Sequence, residues 1–165
     1  MTLVDLRRLL TTLTSVANET KLGTDVAVEV RFEGRGTNDT FSVPGHDSRL
    51  GQVISNLLSN AQSFSTAGGK VRITCRRVRS EIEILVDDDG PGIREDALQR
   101  IFERFYTDRP HQGFGQNSGL GLSISKQIID AHGGRIWAEN RPGPVDADGN
   151  PTVAGARFIV RLPAS

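Results

Sequence analysis

Hydrophobic positions recur at helical and strand spacings in turn, and their alternation predicts the elements. Leu6, Leu9, Leu10, Leu13, Val16 and Ala17 share one stripe, which predicts an opening amphipathic helix that stops near Asn18. Val26, Val28 and Val30 alternate as a strand does. Gly34 and Gly36 break that strand, and Thr40 to Val43 is expected to return as its hairpin partner before Pro44 and Gly45 end it. With Asp47 as its expected cap, a second helix through Phe64 sets Leu50, Val53, Ile54, Leu57, Leu58, Ala61 and Phe64 on one stripe.

Two strands follow, because Val71, Ile73 and Cys75 alternate with Arg72, Thr74 and Arg76, and Ile82, Ile84 and Val86 follow the same rhythm beside Glu81 and Glu83. Cys75 is thereby a core residue. Thr107 to Ser118 is rich in glycine and polar residues and has no period, so it reads as a long loop of the kind that often forms a lid. Leu120, Ile124, Ile128 and Ala131 predict a third helix, ended by Gly133 and Gly134 in a left-handed cap. Arg135 to Asn140 and Ala156 to Leu162 read as the last strands, with a turn-rich segment from Pro142 to Pro151 between them. Neither a repeat nor a second domain emerges. The expected fold is a single α+β domain over residues 1–165: a two-layer sandwich of a mixed, mostly antiparallel sheet with about three helices on one face.

Charge narrows the range of partners. Twenty basic residues balance twenty acidic ones, so no net field draws the chain to nucleic acid or to an anionic membrane, and any partner is recognised at a local site. One cysteine excludes a disulfide framework and fits a reducing compartment. No apolar run approaches a membrane span and no signal-peptide pattern opens the chain, so a cytoplasmic piece without membrane contact, monomeric in isolation, is expected.

Four stretches carry candidate chemistry. In VDDDGPGI (Val86 to Ile93), Asp88 shares parity with Ile82, Ile84 and Val86 and so points toward the helix layer. A carboxylate there must be hydrogen-bonded, and a ligand amino group is one donor. Gly90 and Gly92 would let backbone approach a flat ligand; an acidic surface turn is the plainer alternative. In NLLSNA (Asn56 to Ala61), Asn56 and Asn60 stand one turn apart on the flank of the apolar stripe. Their amide oxygens could hold Mg²⁺, or could merely border a core helix. In NSGLGLSIS (Asn117 to Ser125), glycines run into the third helix, whose exposed N–H groups suit phosphate oxygens; a plain loop cap would look alike. No Gly-Lys-Ser or Gly-Lys-Thr follows, so a Walker-type site is unsupported. In IFERFY (Ile101 to Tyr106), the spacing of Phe102 and Phe105 suits a short helix with both rings in the core. Arg104 and Arg109 could close over a triphosphate, or remain solvated.

Taken in chain order, these stretches resemble the N, G1, F and G2 boxes of the histidine kinase catalytic domain, a member of the gyrase, Hsp90, histidine kinase and MutL superfamily with its Bergerat-type ATP-binding fold. HGGRIWAEN (His132 to Asn140) is similar to that family's exit from the last helix into a strand. The resemblance implies ATP and Mg²⁺ as cofactors. It implies that Asp88 takes the adenine amino group, that Gly90, Gly92 and Ile93 shape the adenine pocket, and that Phe64 and Tyr106 line the cavity. Asn60 would coordinate Mg²⁺ with help from Asn56, while Gly115 and the backbone of Ser118, Gly119, Leu120, Gly121 and Leu122 would hold the phosphates. Asn56, Asn60, Arg104 and Arg109 would be the catalytic residues. The γ-phosphoryl would pass to a histidine on a separate dimerisation domain, and a response regulator would be reached through the full-length, membrane-anchored kinase.

Three features depart from that pattern. Ser63 stands where a basic residue is frequent and Thr107 where an arginine commonly follows the aromatic pair, so phosphate contact is expected to shift to Arg104 or Arg109; Asn117 stands where a glycine is frequent, which is expected to alter lid geometry more than the binding mode. No stretch resembles the phosphoacceptor box, and His46, His111 and His132 read as loop or capping histidines. The chain alone is expected to bind ATP with little or slow turnover. Two alternatives stay open. An ATPase or free-standing serine kinase of the same superfamily would usually carry a glutamate base where Asn56 stands, and asparagine cannot accept that proton. Histidine needs no such base, since neutral imidazole is already nucleophilic at pH 7. The other alternative is a regulatory nucleotide-binding module without catalysis.

Overall fold

The computed structural model describes residues 2–19, 26–34, 41–65, 68–104 and 121–165. Their elements are β1 (Thr2–Asp5), α1 (Leu6–Glu19), β2 (Ala27–Glu33), β3 (Ser42–Gly45), α2 (Asp47–Phe64), β4 (Lys70–Val78), β5 (Glu81–Asp87), a single 3₁₀ turn (Glu95–Ala97), α3 (Gly121–Ala131), β6 (Arg135–Pro142) and β7 (Val153–Pro163). Five strands make one sheet in the order β2-β4-β5-β7-β6. β2 runs parallel to β4 and every other neighbouring pair is antiparallel, as the sequence predicts.

The helices lie on one face because each carries one apolar stripe. Leu6 of α1, Leu50, Val53 and Ile54 of α2 and Ile129 of α3 converge on Ile84, Val160 and Leu162 of the sheet. All are buried, each such side chain contributing about 1.5–3 kcal/mol relative to exposure. The opposite face is roofed by its own charged side chains. Arg76 and Arg161 close on Glu83, and Arg157 closes on Asp87 at 2.7 Å. The Arg135 and Arg161 guanidiniums sit 5.4 and 5.8 Å from the Trp137 ring centre.

Four local expectations are corrected. β3 does not return along β2: it pairs antiparallel with β1, Val4 facing Val43, in a separate two-stranded sheet. β2 pairs instead with β4, Val28 beside Val71 and Val30 beside Ile73. A strand's period says which face is buried, not which neighbour supplies the ladder, and β1, with only Val4 buried, has too little period to be read. Pro44 and Gly45 lie inside β3 rather than after it; an edge ladder tolerates proline. The residue capping α2 is His46, without a side-chain cap bond, and Asp47 stands in the first turn, where its charge complements the helix dipole. Finally, residues 101–104 form turns rather than helix. Phe102 still packs edge-on against Phe158, with ring centres 6.1 Å apart. Phe105 and the expected lid from Thr107 to Ser118 lie outside the described residues.

Candidate functional site

The pleat of β5 sends Ile82, Ile84 and Val86 into the core and carries Asp88, just past the strand, to the same side. Asp88 is 1% exposed. Its Oδ1 accepts the Gly90 N–H at 2.9 Å and the Ala156 N–H at 3.0 Å, while its own N–H donates to the Ala156 carbonyl at 3.0 Å. A carboxylate has about four lone-pair positions, so Oδ2 is the oxygen through which this one can accept a further donor.

The turn beyond Asp88 is held against α2. A Cβ at Gly90 would lie 2.3 Å from the Phe64 carbonyl oxygen, and one at Gly92, whose φ is +83°, would lie 2.7 Å from Asn140 Oδ1. Both glycines are thus required by contacts within the protein, a reason additional to the one read from the sequence. Asp89 is the outward anchor. Its Oδ2 accepts the Lys70 N–H at 2.9 Å, its Oδ1 takes Arg72 at 2.8 Å and Arg141 at 3.0 Å, and its own N–H donates to Ser65 Oγ at 3.1 Å. Burial alone would push the Asp89 carboxyl up. The Arg72 hydrogen bond, the Lys70 amide and the charges of Arg72 and Arg141 outweigh that and hold it below the ordinary aspartate range.

Asn140 fixes the far arm of the turn. Its Oδ1 accepts the Ile93 N–H at 2.8 Å and its Nδ2 donates to the Ile93 carbonyl at 2.6 Å. The adjacent Arg141 donates through Nη2 to the Asp88 carbonyl and to Asp89. Sequence reasoning missed both residues as parts of the site. Asn140 did carry a signal, a polar side chain in phase with Ile136 and Ala138 on the helix-facing side of its strand, whereas Arg141 and Arg72 look like ordinary open-face charges.

Along α2, Asn56, Asn60 and Phe64 follow one another at four-residue steps, so that the flank from Asn56 to Phe64 extends about 12 Å. At one end lie Phe64, Gly90 and the buried Asp88. At the other, Asn56 Nδ2 lies 3.4 Å from both the Gly121 carbonyl and Ser125 Oγ, tying α2 to the first turns of α3. Asn60 is half-buried between these ends, Ile93 is buried, and Leu122 packs against the core. The structure therefore brings Asn56, Asn60, Phe64, Asp88, Gly90, Gly92, Ile93, Gly121 and Leu122 to elements bounding one side of the helix layer. Arg104 is exposed at the edge of the described chain. Tyr106, Arg109, Gly115, Ser118, Gly119 and Leu120 lie outside the described residues. Among the described residues no group of three or more His, Cys, Asp and Glu side chains could hold a metal ion. A hard cation here would rest on amide oxygen, such as that of Asn60, and on oxygens of its ligand.

Residues 45–165 match the family described as histidine kinase-, DNA gyrase B- and HSP90-like ATPase. The sensor protein ChvG of Agrobacterium fabrum is 51% identical over 132 residues, which cover 79% of this chain and 21% of that protein. The chain thus spans about a fifth of that relative's length. The mycobacterial sensor histidine kinase MprB superposes with a TM-score of 0.79 at 27% identity, covering 98% of this chain and 97% of that structure. The histidine kinase ThkA, solved in complex with the response regulator protein TrrA, matches with a TM-score of 0.74 at 29% identity over 99% of this chain and 42% of the kinase. With its sheet, its helix layer and more than half its length matched, the chain belongs to the histidine kinase-, DNA gyrase B- and HSP90-like ATPase family.

Proposed function

We propose that this chain is the ATP-binding catalytic part of a sensor histidine kinase, and that it passes the γ-phosphoryl of Mg-ATP to a histidine on a separate dimerisation domain, from which a response regulator is served. One observation carries the reading. A buried carboxylate with one oxygen already tied to two backbone N–H groups lies beside Gly90, which packs on the Phe64 carbonyl at one end of the α2 flank, while the start of α3 meets Asn56 at the other. Asp88 Oδ2 would accept the exocyclic amino group of adenine, with Gly90, Gly92, Ile93 and Phe64 walling the base. The α3 terminus, through Gly121, Leu122 and the residues just before them, would face the phosphates with its exposed N–H groups. Asn60, assisted by Asn56, supplies amide oxygen suited to Mg²⁺. When bound, that cation neutralises phosphate charge. Arg104 and Arg109 would complete the charge balance. Such transfer rests on positioning and electrostatic stabilisation, which these residues can supply without a general base at Asn56.

Calorimetric titration with Mg-ATP tests the adenine contact. Asp88→Asn replaces an acceptor-only side-chain end by an amide that also donates, and the affinity is expected to fall about 10- to 100-fold; an undiminished affinity would move the base elsewhere. Mixing the chain with Mg-ATP and a matching dimerisation domain is expected to label the acceptor histidine. Tight nucleotide binding with no label at any time would favour the regulatory module instead.

A further inference from the structure

We infer that Arg141, together with Asn140, is a positioning residue that sets the selectivity of the Asp88 carboxylate for an adenine amino group; this rests on the adenine reading of Asp88 proposed above. The two residues are consecutive on β6, so the strand pleat sends them to opposite faces of the sheet. Asn140 reaches the turn after Asp88 from the helix side and holds both polar groups of the Ile93 peptide, at 2.8 and 2.6 Å. Arg141 reaches it from the open side, where one guanidinium nitrogen donates to the Asp88 carbonyl, to Asp89 Oδ1 at 3.0 Å and to the Ala154 carbonyl at 3.4 Å. The end of a single strand therefore grips the turn at Asp88, Asp89 and Ile93.

Local geometry shows that this grip is built. The β6–β7 ladder slips at Arg141 and Pro142, and such a bulge re-aims a side chain. Gly155, the register partner of Arg141, leaves the space required: a Cβ there would lie 1.9 Å from the Asp88 carbonyl oxygen and 2.9 Å from Arg141 Nη2. With its carbonyl held by Arg141, its N–H by Ala156 and its Oδ1 by two backbone donors, Asp88 has little freedom to turn. A donor-reading oxygen discriminates between an amino group and a carbonyl only if it cannot rotate away from the wrong one. The role assigned to Arg141 is to prevent that rotation without touching the nucleotide.

The test compares Mg-ATP with Mg-ITP, whose base carries a carbonyl where adenine carries its amino group. Affinities are measured by calorimetry on the whole chain. Arg141→Gln is expected to narrow the ATP-to-ITP affinity ratio about tenfold, chiefly by weakening ATP. Asn140→Ala should narrow it from the other face, and Arg135→Gln, on the open face of the same strand, should change neither affinity. If Arg141→Gln does not fold, Arg141→Lys carries the test, since an ammonium on a flexible stem keeps the charge but holds the Asp88 carbonyl less rigidly than the planar guanidinium. An unchanged ratio, or equal losses for both nucleotides, overturns the inference. Asp88→Asn separates the two levels. If it too leaves the ratio intact, the adenine reading itself fails; if it collapses the ratio while the Arg141 variants do not, only the positioning role is lost.

Discussion

Cys75 and Asp88 are both buried beside the same strands, yet their surroundings assign them opposite chemistry. Around Cys75 burial dominates and pushes the thiol up to about 12, against a small opposing influence of Arg7. The thiolate is the reactive form, so a thiol-disulfide reagent at pH 8 is expected to leave Cys75 untouched until urea unfolds the chain. Rapid labelling of the native protein would contradict its core placement. Asp88 is surrounded instead by oriented donors, and Gly90 allows that arrangement by bringing the turn against Phe64. Gly90→Ala would force a Cβ to within 2.3 Å of a backbone oxygen. Such overpacking is expected to cost about 1–3 kcal/mol, read from urea unfolding, together with weakened nucleotide binding. A variant of wild-type stability and affinity would show that this approach is dispensable.

Between elements, the most informative bond joins two helix ends. His132 Nδ1 bonds the Ile128 carbonyl at 2.8 Å, which makes that nitrogen the donor, and leaves Nε2 as the acceptor for the His46 N–H at 3.0 Å. The ring thus bonds a carbonyl at the end of α3, which also accepts the His132 backbone N–H at 3.1 Å, and the amide of the residue capping α2. Gly45 permits the contact, since a Cβ there would lie 2.6 Å from the His132 ring. His132→Ala would strand the His46 N–H and leave a void, while the Ile128 carbonyl keeps the His132 backbone N–H at 3.1 Å, an expected loss of about 1–3 kcal/mol. Trp137, the single tryptophan, stands on the open face and reports that unfolding by fluorescence. An unshifted urea midpoint would remove His132 from the α2–α3 junction.

Over the whole molecule, stability is tied to pH by carboxylates that arginines hold. Burial would push Glu83 up, but hydrogen bonds from Arg161 and Arg76, and the charges of both, outweigh it, so its carboxyl titrates below the ordinary glutamate range. Asp89 behaves alike through Arg72 and Arg141. In the unfolded chain such groups return to about 4. The unfolded state therefore binds more protons near pH 4, and stability rises with pH through that window. The contribution is complete above the unfolded values and is lost as pH falls through the lower native ones. Urea midpoints are expected to drop between pH 7 and pH 4, with a shallower drop for Glu83→Gln, which should also be less stable at pH 7. Identical pH slopes for the two proteins would remove Glu83 as a source of the dependence.

The sequence alone determined whatever depends on local period. α2 ends at Phe64 as its stripe predicts, β4 and β5 bury the alternating residues, and the parity of Asp88 with Val86 already directed its carboxylate at the helix layer. Cys75 was legible as core for the same reason. Only the tertiary structure decided the partners: β3 with β1 rather than β2, His132 rather than Asp47 beside the start of α2, and Asn140 and Arg141 on the turn after Asp88. Side-chain period is a property of a few consecutive residues and survives in any arrangement that buries the same face. Which distant donor meets a backbone carbonyl depends on chain crossings, on a slip in one ladder and on the absence of a single Cβ at Gly155, none of which leaves a periodic mark.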